Sequence, residues 1–153
     1  MKIYISGKIG EETLTEATRE KFAQAERMLR QMGHDVFNPT TSGLGDLADR
    51  CENFAHCMGK HTTWYAEILK LDIKELSFCD AIYMLRDWVS SPGAFVEFSF
   101  AEAVGIRVLF SERGDAWDYL NNKFAAQTGQ VCTITSRDEY IDSNIDDMWL
   151  PLK

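Results

Sequence analysis

The stretch DAIYMLRDWVSSPGAFVEFSFAEAVGIRVLF, residues 80–110, decides the fold. AIYML (81–85) is a near-continuous apolar run of the kind buried on both faces of a parallel sheet. After the turn RDWVSSPG, residues 94–104 read as a helix closed by Gly105, and RVLF (107–110) reads as a further strand. A strand, a crossover helix and a second strand in so short a span make a βαβ unit.

The same alternation extends outward. KIYIS (2–6) is a first strand ending at Gly7, and residues 12–32 form a helix with Leu14, Ala17, Phe22, Ala25, Leu29 and Met32 near one face. Gly33 suits its C-terminal cap, and His34 to Phe37 is a short second strand stopped by Asn38-Pro39. Residues 40–61 read as a loop with one short helix, and residues 62–78 as a helix burying Trp64, Ile68, Leu71 and Leu76. Beyond Ser111, residues 115–127 are expected to be helical and VCTIT (131–135) to be a fifth strand. The acidic end, DEYIDSNIDDMWLPLK, has no clear period, but Met148, Trp149 and Leu150 suit a docked segment. The fold class is α/β: one domain over 1–153, a doubly wound, flavodoxin- or Rossmann-like parallel sheet of four to five strands with helices on both faces.

The bulk composition narrows the function. With 45% hydrophobic and 26% charged residues the chain suits a globular protein with a real core. No apolar run approaches the ~20 residues that span a bilayer, and MKIYISGKIG lacks the long apolar stretch of a signal peptide, so the cytoplasm is the expected location. A net charge of −8 argues against a coat for a nucleic-acid polymer. Cys51, His56, Cys57 and His61 invite a zinc reading, but C-x4-H-C-x3-H is not a finger or ribbon spacing, so neither a metal nor another cofactor is expected.

In a doubly wound sheet, ligands sit beyond the carboxyl ends of the strands at the topological switch point. The first strand therefore directs Ser6, Gly7 and Lys8 there, and the third directs Arg86, Asp87 and Trp88. Ser91, Pro92 and Gly93 open a helix whose free backbone N–H groups favour an anion. Glu97 follows within roughly the first turn, where the helix dipole should hold it ionised. Such a glutamate is favourable at a helix start with no other task. Asp72 beside Glu75 suits a solvated helix face, and Tyr4 and Trp88 suit ordinary packing.

The combination changes that balance. MKIYISGKIG, the NP after the second strand, DIKELSFCDAIYML and SPGAFVEFSFAEAVG, in this order over roughly residues 1–110, resemble the nucleoside 2-deoxyribosyltransferase superfamily. The match is to a branch with the pattern W-x-x-S-x-G-A-x-x-E, met here by Trp88, Ser91, Gly93, Ala94 and Glu97. That superfamily includes 2′-deoxynucleoside 5′-monophosphate N-glycosidases. The resemblance implies Glu97 as the nucleophile, Asp72 as its partner carboxylate and Tyr4 as a hydrogen-bond donor steadying Glu97. It implies a substrate site of Ser6, Gly7, Lys8, Ile9, Asp87, Trp88, Ser91, Gly93 and Ala94. Where the monophosphate glycosidases carry a phosphate-gripping arginine this chain has Gly10, with Lys8 as the nearby cation, a point charge rather than a fork.

The implied chemistry is cleavage or transfer at an N-glycosidic bond of a nucleoside or its 5′-monophosphate. Two carboxyls about 5 Å apart serve such retaining reactions, one attacking C1′ and the other aiding the leaving group. The alternatives are a non-catalytic module that binds or senses a nucleotide or nucleotide-sugar in the same pocket, and an interaction protein docking through MWLPL. The resemblance also implies at least a homodimer.

Overall fold

A computed structural model of the chain describes residues 1–9, 14–128 and 134–153. At its centre, β1 (Lys2–Ser6) pairs in parallel with β2 (Asp35–Phe37) on one side and β3 (Ala81–Met84) on the other, and β3 pairs in parallel with β4 (Arg107–Phe110). The order β2-β1-β3-β4 puts the switch point between β1 and β3, because the chain winds to opposite sides from there. Among the described residues the sheet has four strands. Of the expected fifth strand, residues 131–133 lie outside the described residues, and Ile134 opens α6 (Ile134–Met148) instead.

The two-residue period of a strand sorts its side chains into two cores. Ile3, Ile5, Ala81, Tyr83 and Leu109 share one with Phe22, Ala25, Met28 and Leu29 of α1 (Glu16–Gln31). Tyr4, Ile82, Met84, Val108 and Phe110 share the other. It is completed by Leu76 of α3 (Trp64–Leu76), Ala94 and Ala101 of α4 (Pro92–Val104), Ala116 and Leu120 of α5 (Arg113–Thr128), and Ile141 and Ile145 of α6. Ser6, two residues beyond Tyr4, shares its orientation and so points toward the α4 side as well.

Local chemistry sets the helix ends. The side chains of Thr15, Thr63 and Ser91 accept from Thr18, Ala66 and Ala94 N–H groups, capping α1, α3 and α4. The Thr15 cap starts α1 at Glu16 rather than at residue 12. Residues 40–61 hold more helix than their sequence suggests, since α2 (Leu44–Cys57) occupies most of the segment. Its exposed Phe54 and Met58 blur the apolar period from which the helix would have been read.

The acidic end is helical too, as α6, and the residues after it dock as expected. Leu150 N–H donates to Phe110 O at 2.8 Å, Trp149 bridges to Phe110, and Tyr83 Oη donates to Leu150 O at 2.7 Å. This short strap lies along β4, the outer strand, where unpaired backbone would otherwise be open to another chain. Among the described residues no helix is long and apolar enough to cross a membrane.

At Gly105, which caps α4 with φ 80°, a Cβ would meet nothing within 4 Å, so only backbone conformation is at stake. Gly105→Ala is expected to cost about 1 kcal/mol, a fall of roughly 2–4 °C in melting temperature at this chain length. Thermal denaturation followed by circular dichroism measures it, and an unchanged midpoint contradicts the left-handed cap.

Candidate functional site

Glu97 projects from α4 onto the sheet face to which Tyr4 and Ser6 point. Tyr4 Oη donates to Glu97 Oε1 at 2.8 Å and Ser6 Oγ donates to Oε2 at 2.5 Å. Each carboxylate oxygen thus has its own donor from β1, and the residue is only 7% exposed. Tyr4 is held in turn, its ring stacked on Phe37 of β2 with centroids 5.2 Å apart.

The helix start differs from the sequence reading. Pro92 is the first helical residue, so Glu97 lies in the second turn, beyond the strongest reach of the helix dipole. Burial dominates instead, pushing the Glu97 carboxyl up to about 7, against the opposing pull of the Ser6 and Tyr4 hydrogen bonds. The first-turn amides are also taken. Pro92 has none, the Tyr65 phenol lies over Gly93, Ala94 N–H donates to Ser91 Oγ at 3.3 Å, and Phe95 N–H donates to Ser91 O at 3.0 Å. The anion seat expected at this helix start is filled from within the protein.

Asp72 is the second carboxylate of the site. It lies in the last turns of α3, is 7% exposed, and its Oδ1 has no hydrogen-bond partner. Burial, then the charges of Glu97 and Glu75, push its carboxyl up to about 8. Burial and the Glu97 charge favour a proton on the Asp72 carboxyl near neutral pH. That carboxyl lacks donors, whereas Glu97 has two. Environments that part a pair in this way assign one member as acid and the other as base or nucleophile. The same two charges raise the Tyr4 phenol further above its usual value after burial has done most of the work, so Tyr4 stays a donor.

The remaining nominated residues fall into separate groups. Asp87 accepts from Lys8 N–H at 3.0 Å and from Lys21 Nζ at 2.5 Å, while Lys21 also donates to Lys8 O at 2.9 Å. This knot ties the loop after β1 to the loop after β3 at the switch point. Gly7 sits under it, where a Cβ would fall 3.0 Å from Leu85 Cβ and 3.2 Å from Asp87 Oδ1, so the loops themselves demand a glycine. Ile9 packs on the α1 side of the sheet. Trp88 stacks against Phe95, tilts against Phe98 at 4.7 Å and donates Nε1–H to Asp115 at 3.2 Å, as a member of an aromatic cluster.

One residue at the site escaped the sequence reading. Tyr65, in the first turn of α3, lies seven residues before Asp72 and so on the same helix face. The charges of both Glu97 and Asp72 reach its phenol, which burial and Glu97 hold above the usual tyrosine value. A Cβ on Gly93 would fall 2.6 Å from Tyr65 Oη, so the glycine makes room for this phenol. The i, i+7 spacing to Asp72 was the available signal.

Elsewhere, a groove of about 720 Å³ runs between α1 and the C-terminal strap, lined by Met28, Met32, Leu150 and Pro151, but it contains none of these carboxylates. Among the described residues no three or more His, Cys, Asp or Glu gather to hold a metal ion. His56 Nε2 lies 3.0 Å from the carbonyl of Thr62.

The buried acids tie stability to pH. Both have folded values raised above their unfolded ones, so the native state binds more protons and stability falls as pH rises from about 4 to about 8. At ~1.4 kcal/mol per unit, the rise of Asp72 from 3.8 to about 8 and of Glu97 from 4.5 to about 7 sets an upper limit on the order of 9 kcal/mol across that window, well over ten degrees in melting temperature at this chain length. The double variant Glu97→Gln/Asp72→Asn should flatten the melting profile between pH 5.5 and 8.5. An equal slope in both proteins refutes the assignment.

No curated protein and no solved structure matches the chain. The family described as a domain of unknown function, DUF4406, matches residues 1–110, which include every strand of the sheet and Tyr4, Ser6, Tyr65, Asp72 and Glu97. The chain belongs to that family of domains of unknown function.

Proposed function

We propose that the chain cleaves or transfers at the N-glycosidic bond of a nucleoside or deoxynucleoside, free or as its 5′-monophosphate, through a glycosyl intermediate on Glu97. The observation that carries this reading is the buried pair: a Glu97 carboxylate with a donor on each oxygen, whose charge reaches a buried Asp72 carboxyl that has none. The ordered resemblance to the nucleoside 2-deoxyribosyltransferase superfamily supports it independently.

In this reading one Glu97 oxygen attacks C1′ as the bond to the base lengthens, and the developing oxocarbenium charge lies against a carboxylate screened from water. Asp72, holding a proton, gives it to the departing base. The glycosyl ester is then opened by water, for a hydrolase, or by a second base, for a transferase. Tyr4 and Ser6 fix the orientation of Glu97 and stabilise its ionised form. Phosphate recognition falls to Lys8, whose backbone is pinned by Asp87 and Lys21 while its residue remains exposed. Self-association is part of the proposal, with the outward residues Phe95, Val96 and Val104 of α4 exposed and uncharged. Light scattering that reports a monomer rejects that part.

The test is a panel of nucleosides, deoxynucleosides and 5′-monophosphates assayed chromatographically for free base. Glu97→Ala is expected to abolish base release, and Asp72→Asn to slow it roughly 10²–10⁴-fold. Base release that survives Glu97→Ala unchanged sinks the mechanism. Absence of turnover together with thermal stabilisation by a nucleotide selects a sensing module instead.

The rate should also follow the pair's protonation. Activity needs Glu97 ionised and Asp72 protonated, so kcat/KM is expected to peak between about pH 7 and 8 and to fall on both sides. Asp72→Asn should remove the alkaline limb, and a flat wild-type profile from pH 5 to 9 contradicts the assigned roles.

A further inference from the structure

The site has one aromatic side chain that the proposed chemistry leaves unused. Tyr65 is 51% exposed, and among the described residues no other ring stacks on it. By contrast Tyr4 is covered by Phe37, and Trp88 is enclosed by Phe95, Phe98 and Phe110. A half-exposed tyrosine would ordinarily be a mobile surface group. This one is confined at its far end, because its oxygen occupies the space over Gly93 that a Cβ there would fill, 2.6 Å from that Cβ position.

Its place relative to the carboxylates is informative. Tyr65 and Asp72 share one face of α3, two helical turns apart, with Asp72 buried and Tyr65 toward solvent. With a sugar's anomeric carbon at Glu97 and the proton donor at Asp72, a leaving group directed along this face of α3 toward solvent would run toward Tyr65.

We propose that Tyr65 is the contact for the leaving base: its ring is the stacking surface, and its phenol, confined over Gly93, offers a hydrogen bond to the base edge. This rests on the N-glycosidic reading and adds to it the residue that holds the departing base. It also gives Gly93 a purpose, since any larger residue there would displace the phenol. Nothing in the contact selects a particular base, because every base has a π-face.

Equilibrium binding on the Glu97→Gln background, where turnover is blocked, tests the proposal. The probes are 2′-deoxynucleosides and their 5′-monophosphates, with deoxyribose 5-phosphate as a probe that has no base. Tyr65→Leu is expected to weaken the base-containing probes on the order of tenfold and to leave the baseless probe within twofold. Tyr65→Phe, which keeps the ring, should retain most of the affinity. Gly93→Ala, whose methyl displaces the phenol and the ring that carries it, should reproduce the Tyr65→Leu loss while the protein stays folded by circular dichroism.

Equal weakening of base-containing and baseless probes would mean that Tyr65 only braces α4, and the proposal falls. It falls equally if Tyr65→Leu binds every probe as its parent does, or if the parent binds none. A loss confined to base-containing probes, in a protein whose base release proves independent of Glu97, keeps the Tyr65 contact and rejects the nucleophile. The two readings can therefore fail separately.

Discussion

The site depends on a carboxylate kept out of water by a sheet and a helix and held by two hydroxyls from one strand. Placing Glu97 there is costly, since a buried acid loses hydration that two hydrogen bonds only partly replace. The protein meets that cost with alternation in β1, which sends Tyr4 and Ser6 to the same side, and with the small residues Ala94 and Ala101, which let α4 lie close. Asp72 enters the same low-dielectric space without donors, and its neighbour's charge makes full ionisation of both unfavourable. The unequal environments of two like groups, rather than any unusual residue, give the site its chemical asymmetry.

The loops at the strand ends serve this arrangement indirectly. Asp87 joins the backbone of Lys8 to the ammonium of Lys21, so the ends of β1 and β3 and the start of α1 are clamped at the switch point. That clamp fixes where Ser6 leaves the strand, and so where its hydroxyl meets Glu97. Trp88, one residue further, is drawn into an aromatic cluster and anchors the entry to α4 from the opposite side. Residues that look like ligands in sequence thus hold the frame on which the acidic pair is mounted.

Much of this was legible before any coordinates. The apolar runs at 2–6, 81–85 and 107–110 read as buried strands from their length and their bounding glycines and turns, and the helices between them imply a parallel, wound sheet. Glu97, Asp72 and Tyr4 emerged from the order of the motifs. What stayed hidden was set by contacts distant in sequence. The first-turn position of Glu97 was misjudged because Ser91 with Pro92, not residue 94, starts α4. The helix dipole expected to govern Glu97 gives way to burial, which raises its carboxyl, and to the Ser6 and Tyr4 hydrogen bonds, which oppose that rise. Helix α2 shows little apolar period because Leu47 and Phe54 are exposed and only Ala48 is buried, and in α6 the spacing of Ile141, Ile145 and Met148 is diluted by the acidic residues around it. Tyr65 was missed because its significance arises only where α3 meets the opening of α4.

Residues 1–110, the part that the family model matches, carry the four described strands and both acids, yet the hydrophobic layer over Phe110 and Val108 is finished by Ala116, Leu120, Ile141 and Ile145, and the outer strand is strapped by Leu150. In this chain the matched portion is therefore an open half-shell whose flank is closed by α5, α6 and the strap. Cut after residue 110, it would leave that apolar flank bare to water, so the matched part does not finish its own core.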